Sequence, residues 1–396
     1  MPATATVVSG PTNGEPVTHE HDGSQAGPAG QPPFVQLLTE QGDRVEHPDY
    51  RSALGPEQLR EMYRDLVLVR RLDIEATALQ RQGELGLWAS LLGQEAAQVG
   101  SARALAAQDY AFPTYREHGV AWCRGVDPVG LLGLFRGVDQ GGWDPAEHNL
   151  HLYAIVIGTH TLHATGYAMG IQRDGAVGTG DPARDAAVIA YFGDGATSQG
   201  DVNEAFVFAA VENAPVVFFC QNNQFAISEP NERQTRIPLY RRADGFGFPG
   251  VRVDGNDVIA VHAVTTAALA RARRGDGPTL IEAFTYRMGA HTTSDDPTRY
   301  RPAGELEEWR AKDPITRLRT HLTRTGQAGE TFFAELDAEA DAFAARLRHG
   351  LLTLPDPEPE TMFDHVHREP HAQLEADRAW FAQYQASFAP AQEVAQ

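Results

Sequence analysis

Residues 186–223 constrain the fold of this chain more than any other stretch. An apolar run, Ala186-Ala187-Val188-Ile189-Ala190-Tyr191-Phe192, leads into Gly193-Asp194-Gly195. A helical stretch from about Gly200 to Asn213 follows. A second apolar run, Pro215-Val216-Val217-Phe218-Phe219-Cys220, then leads into Asn222-Asn223. Strand, turn, helix and strand in that order predict adjacent parallel strands joined by a helical crossover. Both polar ends then lie at the carboxyl ends of the strands, where open α/β sheets bind their ligands. The Asp194 carboxylate and an asparagine amide oxygen are hard oxygen ligands that suit Mg²⁺ or Ca²⁺. The glycines let backbone approach a diphosphate closely, and Gly195 and Ala196 are placed to offer it N–H groups.

The rest of the chain extends the pattern. Val251 to Asp254 reads as a strand, 258–273 as a helix, and Pro278 to Phe284 as a buried strand. The fold class is therefore α/β, a parallel sheet with helices on both faces. A helix opens at Pro56, carries Leu59, Met62, Leu66, Val69 and Leu79 as its apolar stripe, and ends at Gly83. A second helix fits Gln94 to Leu105, and a small-residue helix fits Leu162 to Gln172. Residues 112–119 and 137–151 read as loops. Beyond Pro302 the chain reads as helical, with Phe332, Leu336, Ala340, Phe343 and Leu347 on one stripe. The last forty residues, with four prolines between Pro355 and Pro370, read as an extended arm or partner-docking tail. Residues 1–33 are poor in large apolar groups and are expected to be disordered. The domain boundaries expected are 1–33, 34–301 for the α/β domain and 302–396 for a helical extension with its tail.

Charge and cysteine usage exclude several classes. The formal charge of −20 makes DNA or an anionic membrane an improbable main partner, so any anion site must be a local positive pocket. No apolar run is long enough to span a bilayer. Two cysteines in 396 residues build no disulfide framework and fit a reducing compartment. With no secretory or transit pattern at the start, the expected location is cytoplasmic.

Two further clusters belong at the same sheet edge. Tyr115-Arg116-Glu117-His118-Gly119 supplies a guanidinium fork for a diphosphate. Tyr286 to Asp296 follows a predicted strand and carries His291, which can donate to a phosphate or move a proton near neutral pH. In Thr159-His160-Thr161-Leu162-His163 two histidines lie three apart, but no third ligand at suitable spacing supports a zinc site.

These segments together carry a specific resemblance. FPTYREHG, GDGATSQGD, FFCQNNQFAIS, VRVDGNDV and YRMGAHTTSDDPTRYR, in that order, resemble the alpha chains of the thiamine diphosphate-dependent 2-oxo acid dehydrogenases, most closely the branched-chain type. The similarity runs from about Phe34 to the end. It implies a thiamine diphosphate-binding fold, with Asp194, Asn223 and the carbonyl of Phe225 holding Mg²⁺. It implies further that Tyr115, Arg116, Gly193, Gly195, Ala196 and His291 contact the diphosphate and that Thr159 and Thr161 touch the middle of the cofactor. His291 matches the catalytic histidine that assists acyl transfer to lipoamide, and Leu87, with Trp88 beside it, matches an apolar position lining the substrate pocket. The resemblance also implies a beta subunit in an α₂β₂ assembly that supplies the activating glutamate, a lipoyl acyltransferase partner and a small 2-oxo acid substrate. Pyruvate or acetoin as substrate, and a non-catalytic thiamine diphosphate-binding paralogue, are the alternatives. The chain departs from the family pattern in three places. Its active-site histidine after Gly141 is either His148 or His151, Thr159-His160-Thr161 replaces a Ser-Pro segment, and Gln221 stands where some relatives have arginine.

Overall fold

A computed structural model describes residues 34–139 and 141–388; the expectation of disorder over 1–33 and the last eight residues of the tail lie outside the described residues. In chain order the elements are α1 (Pro56–Arg81), α2 (Glu95–Ala102), β1 (Tyr110–Phe112), α3 (His118–Cys123), α4 (Pro128–Arg136), α5 (Pro145–His148) and α6 (Thr159–Arg173). Then come β2 (Val188–Gly193), α7 (Gly200–Val211), β3 (Val216–Asn222), the two-residue strands β4 (Phe225–Ala226) and β5 (Glu229–Pro230), and β6 (Gly250–Asp254). The chain continues through α8 (Val258–Arg273), β7 (Thr279–Phe284), α9 (Ala303–Arg310), α10 (Pro314–Arg324), α11 (Glu330–Thr353) and α12 (Ala372–Ala386).

Five strands form one sheet in the order β1-β2-β3-β7-β6, and every pairing is parallel. Gly193 pairs with Gln221 across β2 and β3, so the two halves of the Gly-Asp-Gly and Asn-Asn pattern leave the sheet side by side. Alternate residues face opposite layers, as strand geometry requires. Ile189, Tyr191, Val217, Phe219 and Ile281 join the core shared with α1, α2 and α8. Val188, Ala190, Phe192, Val216 and Phe218 join the core under α6 and α7. Each valine, isoleucine or phenylalanine among them, fully buried, contributes roughly 1.5–3 kcal/mol.

The helix bounds follow from local chemistry. Asp257 caps α8 by accepting from the N–H groups of Ile259 and Ala260, both at 3.0 Å. Gly83 stops α1 because it takes the left-handed φ of 86° that other residues avoid. Residues 112–119 are not a plain loop: they close β1 and open α3. The 137–151 segment likewise contains the short α5. In α11 the buried position on the stripe is Phe333 and not Phe332, which is only partly covered. Leu318 and Leu322 of α10 and Phe333, Leu336 and Leu347 of α11 enter the same core as α1, so this core runs from Val35 to Leu351, across the boundary expected at 302. The arm beyond Pro359 is not simply extended. It ends in α12, which has no buried residue and packs on the 359–363 turn through Phe381 and Phe363.

Candidate active site

Four segments converge at the carboxyl ends of β1, β2, β3 and β7 to line a cavity of about 210 Å³. Its walls include Tyr115 and Arg116 after β1, Gly193, Asp194, Gly195 and Ala196 after β2, Asn223 and Phe225 after β3, and His291 after β7. Close packing shapes the floor. A β-carbon on Gly195 would meet that of Ala226 at 2.7 Å, so β4 lies against the 194–198 turn with no room for a side chain. Space is open around Gly193.

Asp194 is buried, and burial raises its carboxyl to about 6, against the lowering effects of Gln234 and Arg287. Gln234 Nε2 donates to its Oδ2 at 2.8 Å. Asn223 Nδ2 donates to Gln94 Oε1 at 3.1 Å. The Phe225 carbonyl accepts from Arg287 Nη1 at 2.9 Å and keeps a second lone pair. A buried carboxylate in no salt bridge, an asparagine oxygen and a carbonyl make a donor set of hard oxygens, and the residues present fit a divalent cation. Among the described residues no cluster of three His, Cys, Asp or Glu offers an alternative metal site.

The rim carries positive charge inside an acidic protein. Arg116 Nη2 donates to the His291 carbonyl at 2.8 Å and lies 3.2 Å from His291 Nδ1. A guanidinium can only donate, so Nδ1 is the acceptor and the neutral ring carries its proton on Nε2. Burial, reinforced by Arg116 and Arg287, lowers His291 to about 4. The loop bearing it is fixed from behind. The His291 N–H donates to Asp295 at 2.8 Å, Tyr300 hydroxyl donates to the same carboxylate, and Arg301 caps the carbonyls of Arg287 and Met288. Two residues near these oxygen donors hold left-handed φ without being glycine, Gln224 at 71° and Ile227 at 57°. For a β-branched residue that conformation is costly, and such strain concentrates at functional sites.

The structure leaves three expected site residues outside the cavity. Thr159 and Thr161 open α6, and Thr161 Oγ1 is spent on the Gly158 carbonyl at 2.6 Å; the residue that reaches the cavity from this segment is Ile157. Leu87 is partly exposed and does not line it, and Trp88 does not substitute for it. Trp88 is fully buried, stacked 4.1 Å from His118, with its Nε1 donating to Asp73. Neither His148 nor His151 lines the cavity: His148 Nδ1 donates to the Arg124 carbonyl at 3.0 Å, while His151 sits 4.8 Å from the Phe112 ring. His160 Nε2 donates to the Tyr191 carbonyl, which occupies it structurally.

Several lining residues escape sequence reasoning. Arg287 lies in a segment singled out for its histidine, and Gln94 in one read only as a helix start. Gln221 joins a buried network, donating to Glu117 at 2.6 Å, and burial raises the Glu117 carboxyl. Glu117 in turn accepts from the Thr114 N–H and hydroxyl, which sets the turn that presents Arg116.

Comparison with known proteins places these residues in context. The model of a family described as dehydrogenase E1 component matches residues 63–345. The chain is 46% identical over 345 residues to the 3-methyl-2-oxobutanoate dehydrogenase subunit alpha of Mycobacterium tuberculosis (strain ATCC 25618 / H37Rv), covering 87% of this chain and 92% of that protein. It is 40% identical over 316 residues to the pyruvate dehydrogenase E1 component subunit alpha of Staphylococcus aureus (strain Mu50 / ATCC 700699), covering 79% of this chain and 83% of that one.

Proposed function

The chain belongs to the dehydrogenase E1 component family, and from that premise we propose that it is the alpha subunit of a thiamine diphosphate-dependent 2-oxo acid dehydrogenase acting on branched-chain 2-oxo acids. The observation that carries the reading is a cavity at the sheet edge lined by a buried carboxylate, an asparagine, the Phe225 backbone and two guanidinium groups. The relative named for 3-methyl-2-oxobutanoate shares 46% identity with the chain and the one named for pyruvate 40%, which favours the branched substrate.

In this reading Asp194, Asn223 and the Phe225 carbonyl hold Mg²⁺, and Tyr115, Arg116 and the N–H groups of Gly195 and Ala196 hold the diphosphate. Thiamine diphosphate, when bound, supplies the electron sink that lets carbon dioxide leave a 2-oxo acid. The chain itself binds and orients. Arg116 clamps one face of the anion site and sets the His291 tautomer. His291, neutral above about pH 4, offers Nε2–H as a hydrogen-bond donor during acyl transfer to a lipoyl group.

The proposal includes a beta subunit in an α₂β₂ assembly, a lipoyl acyltransferase partner and a cytoplasmic location. Ile157 and Ile227 at the cavity, and Ile155 and Val156 beside them, are exposed, Ile155 by 75% and Ile227 by 58%. An apolar rim around a charged cavity supports closure by a second chain. Two free cysteines support a reducing compartment.

The test is reconstitution with its beta chain and assay of 3-methyl-2-oxobutanoate, pyruvate and acetoin with a dye acceptor. Highest kcat/KM for 3-methyl-2-oxobutanoate, and none from the alpha chain alone, is expected. Preference for pyruvate or acetoin overturns the substrate, and robust decarboxylation by the alpha chain alone overturns the two-chain site.

A further inference from the structure

Two neutral amides flank the proposed metal ligands in the same way. Gln94 Oε1 accepts from Asn223 Nδ2 at 3.1 Å, and Gln234 Nε2 donates to Asp194 Oδ2 at 2.8 Å. An asparagine serves a hard cation only through its oxygen, so its amide must be prevented from turning over. A glutamine oxygen facing Nδ2 does this together with the Phe225 N–H, which donates to Asn223 Oδ1 at 3.3 Å: a flipped amide would set oxygen against oxygen on one side and N–H against N–H on the other. The bond from Gln234 leaves Asp194 Oδ1 for the cation. Neither contact adds charge.

Gln94 is held for this role. It caps α2 beside Gly93, whose φ of 95° and close fit (an added β-carbon would meet the Tyr286 carbonyl oxygen at 2.3 Å) exclude other residues. The Gly93 carbonyl accepts from Thr285 Oγ1 at 2.8 Å, and the Gly93 N–H donates to Glu95, which Arg70 pairs at 2.8 Å. Gln94 Nε2 is itself buried without a partner, so the fold keeps this side chain at a cost unless its orientation matters. Gln234 reaches Asp194 from the turn after β5, which β4 holds against the metal donors.

We propose that Gln94 and Gln234 are the positioning residues of the metal centre, each locking one side-chain ligand in the orientation a divalent cation requires. The inference rests on the reading of Asp194 and Asn223 as Mg²⁺ ligands. Partners of metal ligands typically govern affinity by about 10- to 100-fold.

The experiment measures thiamine diphosphate binding to the assembled alpha and beta chains by calorimetry at stepped Mg²⁺ concentrations. Gln94→Leu and Gln234→Leu are each expected to raise the Mg²⁺ needed for half-saturation by about 10- to 100-fold. The glutamate variants separate orientation from packing and serve if the leucine variants fail to fold. Gln94→Glu keeps an acceptor for Asn223 Nδ2 and is expected to bind Mg²⁺ as well as the unaltered protein. Gln234→Glu loses its donor, sets a second charge against Asp194, and is expected to bind far more weakly. Unshifted leucine variants, or glutamate variants that shift alike, overturn the inference alone. Binding that ignores Mg²⁺ in the unaltered assembly overturns the metal reading and the inference with it.

Discussion

Asp194 and Asp257 are the same residue in the same kind of place. Each follows a parallel strand, each is buried, and burial raises each carboxyl to about 6. Their surroundings separate them. Asp257 accepts from four backbone N–H groups, those of Leu37 and Leu38 at 2.7 and 2.6 Å and those of Ile259 and Ala260 at 3.0 Å, with Arg317 nearby. It staples Leu37 and Leu38 to the start of α8, and its lone pairs are used up. Asp194 takes an amide from Gln234, has Asn231 beside it, and faces a cavity. Burial and a raised pKa therefore do not distinguish a structural carboxylate from a ligand; the donors around it do.

Replacing each carboxylate breaks or sharpens the comparison. Asp257→Ala strands up to four buried N–H groups at about 1–3 kcal/mol each, not fully additive, and is expected to be the most destabilising change, read by urea unfolding. Asp194→Asn should do the opposite to the cofactor-free alpha chain. A folded-state carboxyl pKa raised from 3.8 to about 6 means the folded protein loses stability as pH rises through that window. Asparagine escapes that loss, so the variant's advantage should open between those values and reach on the order of 1–3 kcal/mol above them, while Mg²⁺-dependent cofactor binding disappears. Asp257→Ala losing Mg²⁺ affinity in a folded fraction, or Asp194→Asn losing stability, would sink the distinction.

A middle-sized effect is expected at His291. Arg116→Gln removes one of the cations that disfavour its protonation but leaves burial, the larger cause, in place. The pKa should climb part of the way from about 4 toward 6.5, followed by NMR of ring-labelled protein. The folded state holds this ring neutral, so the stability it contributes is present above 6.5 and fades as pH falls toward 4; in the variant the fading should begin at the same pH but end at a higher one, with a smaller total loss. The smallest effect belongs to the arm. Ending the chain after Arg368 removes α12, which buries no residue, and should change unfolding free energy by no more than about 0.5 kcal/mol. A larger loss of stability in the isolated chain would show that α12 belongs to the core.

Much of the sheet edge was legible because its signals are local. Apolar runs bounded by Gly193 and Asn222 marked β2 and β3, and the helical stretch read over 258–273 matches α8 at both ends. Gln94 and Gln234 were not legible, since a single glutamine carries no pattern and acquires its role only from the side chain opposite. Thr161 misled for the converse reason: its hydroxyl can serve a ligand or its own helix, and α6 begins early enough to claim it. Leu87 and Trp88 are adjacent, yet one is exposed and the other stacked on His118, a difference that depends on contacts more than fifteen residues away.

By itself the sequence determined the architecture and the chemistry available at its edge: a parallel sheet, an oxygen donor set and a guanidinium beside a histidine. These follow from periodicity and from residue type, which are properties of short segments. Only the tertiary structure decided which donors stay free to bind something. Whether a carboxylate, hydroxyl or ring is spent on the fold is settled by distant N–H and carbonyl groups brought within three ångströms, as the pairing of Asp257 with Leu37 and of Asp194 with Gln234 shows.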